Sequence, residues 1–266
     1  MVSSISPFSG GEAANRRNTI QPREPARATP VALALPDTDG TLTDCEIVDP
    51  FTAALTDSSG LFVRYGSIGF LARDGNQITA FTYRATGFDG SGPILFVMHG
   101  SGRTAESYLD AFAPIAERHS ALAIAPLFDE ENYPSSEDYT LGVGISDTPY
   151  GDVYDPTEWR AAEYYLYSEI EHLFEAVKIE LGSSQCNYRI FGHSAGGQFT
   201  HRLLTFRSDA RVFRAVAANS GWYTLPGDGG GDDANFFMPY GLQGSPVTDT
   251  DVVQAFGREL VVLFGS

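Results

Sequence analysis

Residues 188–197, Tyr-Arg-Ile-Phe-Gly-His-Ser-Ala-Gly-Gly, run from a short apolar strand pattern into a Gly-x-Ser-x-Gly turn centred on Ser194. A serine hydroxyl is a weak nucleophile until a base takes its proton. A sharp strand-to-helix corner exposes its oxygen and directs backbone N–H groups at the same point. Gly192, Gly196 and Gly197 provide the room that such a corner needs, and His193 fills its second place. The chemistry this spacing predicts is acyl transfer through Ser194, with the Ala195 N–H as one donor to the oxyanion. The short motif arises often by chance in a chain rich in glycine and serine, so its flanks must carry the assignment. An apolar strand precedes it and a helix-compatible run follows.

A second donor is expected from His99-Gly100-Ser101-Gly102, which directly follows the apolar run Ile94-Leu95-Phe96-Val97-Met98. The backbone of Ser101 is the expected donor, with Gly100 and Gly102 leaving space for it. A histidine opening such a loop is read as a brace that hydrogen-bonds the loop, so His99 is not assigned as general base. The ring of His193 is expected to point away from the nucleophile. His201 sits two turns along the next helix, too far to reach Ser194, while His119 and His172 read as residues on helix surfaces.

These residues need a framework. Residues 65–71 and 77–85 read as two strands joined by an Asp-Gly turn. Ile94 to Met98, an apolar run without alternation, suits a strand covered on both faces, and Thr104 to His119 has helical spacing in Leu109, Phe112, Ile115 and Ala116. Residues 121–127 complete a β-α-β unit with parallel strands. Residues 128–155 form a long acidic stretch with interleaved tyrosines. Asp155-Pro156-Thr157-Glu158 predicts the start of a long amphipathic helix that ends at Gly182, with Glu163, Glu169, Glu171, Glu175 and Glu180 away from its apolar stripe. After the corner come a helix to about Phe206, a strand over 212–219, a Gly/Asp-rich loop over 228–233, a helix capped by Asp249 or Asp251, and a buried strand over 259–264.

Composition narrows the function. A chain of 266 residues suits one α/β domain. Residues 1–45 are expected to form a flexible arm and 46–266 the folded domain. The formal charge of −17 argues against nucleic acid as partner, and no apolar run approaches a membrane span. Cys45 and Cys186 are too few for a disulfide framework and lack the spacing of a metal site. The loop over 228–233 departs from calcium-loop spacing. No metal and no cofactor are expected. The first thirty residues lack the continuous apolar stretch of a secretory signal, which makes the cytoplasm the expected compartment.

Five segments together resemble the α/β-hydrolase superfamily, and within it the serine esterases similar to poly(3-hydroxybutyrate) depolymerases. They are residues 97–102, 139–142, 191–199, 218–223 and 261–265. The resemblance covers about residues 65–266. It implies a three-layer fold around a mainly parallel sheet, hydrolysis of small or polymeric esters, and pocket walls from Tyr139, Asn219, Trp222 and Tyr223. It also implies a triad acid just after Gly265 and a histidine beyond it, neither of which the sequence contains. The expected reading is therefore an esterase lacking its C-terminal strand, closing helix and two triad members, with turnover reduced by roughly four to six orders of magnitude. The competing reading is a non-catalytic binding module on the same fold.

Overall fold

The computed structural model describes residues 52–142, 159–226 and 238–265. The expected arm over 1–45, much of the acidic stretch, the helix start at Asp155 and the Gly/Asp-rich loop lie outside the described residues. Contacts divide the chain into Met1–Thr41 and Leu42–Ser266, and every described residue belongs to the second unit.

The strands are β1 (Ala54–Asp57), β2 (Tyr65–Leu71), β3 (Gln77–Arg84), β4 (Ile94–Met98), β5 (Leu122–Leu127), β6 (Tyr188–His193), β7 (Val212–Ala218) and β8 (Glu259–Leu263). Among them run helices α1 (Ala105–Arg118), α2 (Ser136–Thr140), α3 (Ser168–Leu181), α4 (Ala195–Phe206) and α5 (Asp249–Phe256). One sheet holds all eight strands in the order β1-β2-β3-β5-β4-β6-β7-β8. Its first part is antiparallel, and from β5 through β4, β6 and β7 to β8 it is parallel.

Alternation along β6 shows the layering. Successive strand side chains point to opposite faces. Tyr188 packs on Phe174 of α3 with ring centroids 5.0 Å apart, whereas Phe191, an odd number of residues later, packs on Phe112 of α1 at 4.4 Å. Helices α3 and α1 therefore cover opposite faces, and the central strands are apolar on both sides because neither face meets water. Phe96, Val97, Met98, Ile124 and Ile190 are buried accordingly.

Three expectations need correction. The long helix begins at Ser168 rather than near Pro156: residues 162–164 make a 3₁₀ turn and Tyr165 is extended. The Tyr167 hydroxyl donates to the carbonyls of Thr140 and Leu141 at 2.9 and 2.7 Å, and the Leu166 N–H donates to Gly142 O at 2.6 Å. These anchors hold the segment off the helical path. Second, Glu169, Glu171 and Glu175 are buried, and His172 is fully enclosed rather than on the surface. A buried carboxylate survives when it is paired. Arg211 donates to Glu171 at 2.8 Å and to Glu175 at 2.5 Å, while His172 Nδ1 lies 3.3 Å from Glu169. Third, β8 is exposed along its whole length instead of buried, and no residue of the adjacent α5 is buried.

Candidate active site

Parallel register places the site. Met98 of β4 lies opposite Gly192 of β6, and His193 lies opposite Ala218 of β7. The loops leaving these three strands consequently emerge side by side at the carboxyl rim of the sheet, where ligands bind in open α/β folds. Ser194 forms the corner between β6 and α4 with φ 57° and ψ −118°, a conformation that costs a side-chain-bearing residue roughly 1–3 kcal/mol. Its N–H donates to Ala218 O at 2.9 Å, and its carbonyl accepts from Gln198 N at 3.1 Å. Although Ser194 occupies the cap position of α4, its hydroxyl makes no capping hydrogen bond. The first N–H groups of a helix have no partner within it. The Ala195 N–H thus opens α4 at its positive end, beside the uncommitted hydroxyl.

The glycines are spacing devices. A Cβ on Gly192 would sit 1.9 Å from Gly196 O, one on Gly196 2.3 Å from Met98 O, and one on Gly197 2.8 Å from Ala218 O. Strands β4, β6 and β7 and the start of α4 are in backbone contact here, which fixes the corner relative to the loop after β4.

That loop is held from below. His99 is fully buried; its Nδ1 lies 2.9 Å from Gly100 O, and its Nε2 accepts the Phe128 N–H at 3.2 Å. An accepting Nε2 requires the neutral ring with its proton on Nδ1. Burial pushes the His99 pKa down to about 4, consistent with that form. Arg103, with φ 54°, donates to the carbonyls of Phe128, Tyr133 and Ser135 at 2.9–3.0 Å and lies over the Tyr139 ring. Tyr139 is fully buried, its ring 4.5 Å from that of His99 and its hydroxyl donating to His99 O at 2.9 Å. It therefore supports the loop from inside the core and is not a pocket wall. Ser101 and Gly102 are exposed above it.

The loop after β7 forms the other side. Asn219, exposed and with φ 47°, donates its side-chain N–H to His193 Nε2 at 3.3 Å. His201, buried in α4, has Nδ1 3.0 Å from Gly197 O and accepts the Thr224 N–H on Nε2 at 3.0 Å, which pins residues 222–224 to the helix. Burial pushes its pKa down to about 3. Tyr223 stacks near His201 and Phe264, and Trp222 near Tyr240.

No protein-family model and none of the curated proteins matches the chain. Among solved structures, poly(aspartic acid) hydrolase-1 from Sphingomonas sp. KT-1 aligns at TM-score 0.67 with 33% sequence identity, over 76% of this chain and 71% of that one. The chain belongs to the esterase-like α/β-hydrolases. A poly(3-hydroxybutyrate) depolymerase from Bordetella parapertussis aligns at TM-score 0.66 with 29% identity, over 76% of this hydrolase and 65% of that chain. The hydrolase thus spans a little under two thirds of the depolymerase.

Sequence reasoning about the hydrolase missed Arg103 and Tyr108. Arg103 occupies a polar turn, where an arginine ordinarily faces solvent, and nothing local signals three carbonyls converging on it. Tyr108 lies on the same side of α1 as the loop after β4 and reaches His193 Nδ1 at 3.0 Å. A second cleft, at the far end of α4, is lined by Thr205, Arg207, Val247 and Asp251. Its Arg207 pairs with Asp209, and its Asp251 accepts from Ser208 and Thr248.

Proposed function

We propose that this protein hydrolyses carboxylic esters through an acyl-enzyme on Ser194. The observation that carries the reading is the strained corner at Ser194, whose hydroxyl forgoes capping α4 while the Ala195 N–H stands next to it. In this mechanism Ser194 Oγ attacks the ester carbonyl as a base takes its proton, and the Ala195 and Ser101 N–H groups hold the tetrahedral oxyanion. Collapse returns the proton to the departing alcohol. Water then repeats the sequence on the acyl-enzyme, releasing the acid and restoring the serine.

The histidines of the chain do not supply that base in this reading. His99 and His201 are buried with both ring nitrogens engaged, His193 is held between Tyr108 and Asn219, and His172 is enclosed beside Glu169. His119 is exposed at the end of α1 that leads into β5, remote from the carboxyl rim. Turnover by these 266 residues is accordingly set roughly 10⁴–10⁶-fold below that of a complete triad.

The test supplies the base externally. With p-nitrophenyl esters of graded acyl length, millimolar imidazole is expected to raise hydrolysis by the protein above that by its Ser194→Ala variant. Equal rates for the two proteins at every imidazole concentration overturn the proposal and favour a binding module on this fold.

A further inference from the structure

We infer that Tyr108 is a third hydrogen-bond donor to the oxyanion, its proton freed for that purpose by a relay through His193 and Asn219. The inference rests on the reading of Ser194 as nucleophile.

The relay is read from its outer end. The Asn219 side-chain oxygen accepts the backbone N–H of Gly265. A carboxamide has one oxygen, so its NH₂ group is the part that faces His193 Nε2, and NH₂ only donates. Nε2 is therefore a bare acceptor, and the imidazole proton sits on Nδ1. Nδ1 lies 3.0 Å from the Tyr108 hydroxyl. With Nδ1–H donating, the phenol oxygen accepts, and the phenol's own proton is not consumed by the histidine.

Position decides where that proton goes. The point at which Gly100 would carry a side chain is 2.8 Å from the Tyr108 oxygen and 3.7 Å from Ser194 Cβ. The phenol thus overlies the backbone of the loop that presents Ser101, on the side facing the corner. Any side chain at position 100 would separate the two groups. Partial burial raises the Tyr108 pKa above its ordinary value, which keeps the proton on the oxygen. A neutral O–H this close to the loop backbone at Gly100, on the side of Ser194, is suited to meeting developing negative charge, and phenols serve in such holes.

Two measurements test the inference. In the imidazole-assisted ester assay, Tyr108→Phe is expected to lower kcat roughly ten- to a hundredfold with KM changed less than about twofold. By ¹⁵N NMR of labelled histidine, His193 is expected to show a protonated Nδ1 and a bare Nε2, in the parent protein and in Tyr108→Phe alike. Asn219→Asp, which replaces the donor by an acceptor, is expected to move the proton to Nε2 and to lower kcat comparably. Ser194-dependent turnover that is unchanged in Tyr108→Phe overturns the inference, as does a parent protein with its proton on Nε2. Turnover that persists in Ser194→Ala instead defeats the proposed function, and the tautomer measurement then decides the His193–Tyr108 arrangement by itself.

Discussion

The rim around Ser194 and the outer edge formed by α5 and β8 are built from similar elements, a helix and a parallel strand, yet they are held very differently. In α4 nearly every residue is buried, Arg202 included, and β6 touches its neighbours backbone to backbone. In α5 none is buried; Val253 and Phe256 are each 70% exposed, and Leu260 to Phe264 present apolar side chains to solvent. The contrast separates two tasks. The rim around Ser194 is shaped by the core itself, with three of the four non-glycine residues of positive φ among the described residues, Arg103, Ser194 and Asn219, standing in the loops that leave β4, β6 and β7. A scaffold so constrained can keep unfavourable backbone angles in place. The outer edge has no such constraint of its own, although its Leu263 carbonyl and Gly265 N–H hold Asn219 in the loop after β7.

The sharpest test of the contrast is at Gly192. Its replacement by Ala drives a Cβ into Gly196 O and is expected to cost more than about 3 kcal/mol, visible as a large fall in the urea midpoint. Acid is expected to act at least as strongly on the same region. His99 and His201 have folded-state pKa values of about 4 and about 3, below the unfolded value near 6.5, so the unfolded chain binds more protons in the interval between. Their contribution is full above pH 6.5 and is lost as pH falls toward 4 and 3, at about 1.4 kcal/mol per histidine per pH unit. Chemical unfolding followed from pH 7 to pH 4 measures it, and a flat profile contradicts the burial of these rings. Arg103→Ala, which orphans three carbonyls, is expected to cost about 2 kcal/mol by thermal melting and to depress Ser194-dependent turnover as well. Phe256→Ser is expected to change stability by less than about 0.5 kcal/mol; a larger loss would show that the outer edge is packed after all.

Much of the fold was legible because its signals are local. The Asp-Gly turn, the unalternating apolar strand at Ile94 to Met98 and the glycines around Ser194 each state their conformation within a few residues. The failures were long-range. Glu171 and Glu175 read as a solvated helix face because their partner, Arg211, is more than 35 residues away and becomes a neighbour only when β7 joins the sheet. Tyr139 was expected in a pocket wall by the resemblance, whereas its packing on His99 and Phe199 draws it inside. Strand β8 carries the pattern of a buried strand, and composition alone does not say what lies against it. The corner at Ser194 was visible in sequence, while the relay through Tyr108, His193 and Asn219 joins an α-helix to the ends of two strands and has no linear signature.

The backbone angles at position 194 imply a trade between durability and turnover. Glycine would rest there without penalty, so exchanging this serine for glycine ought to make the molecule harder to melt while, on the proposed function, silencing it. An unneeded side chain at that corner would be a standing liability under mutational drift, and the size of the gain in melting temperature would measure what the hydroxyl has been worth.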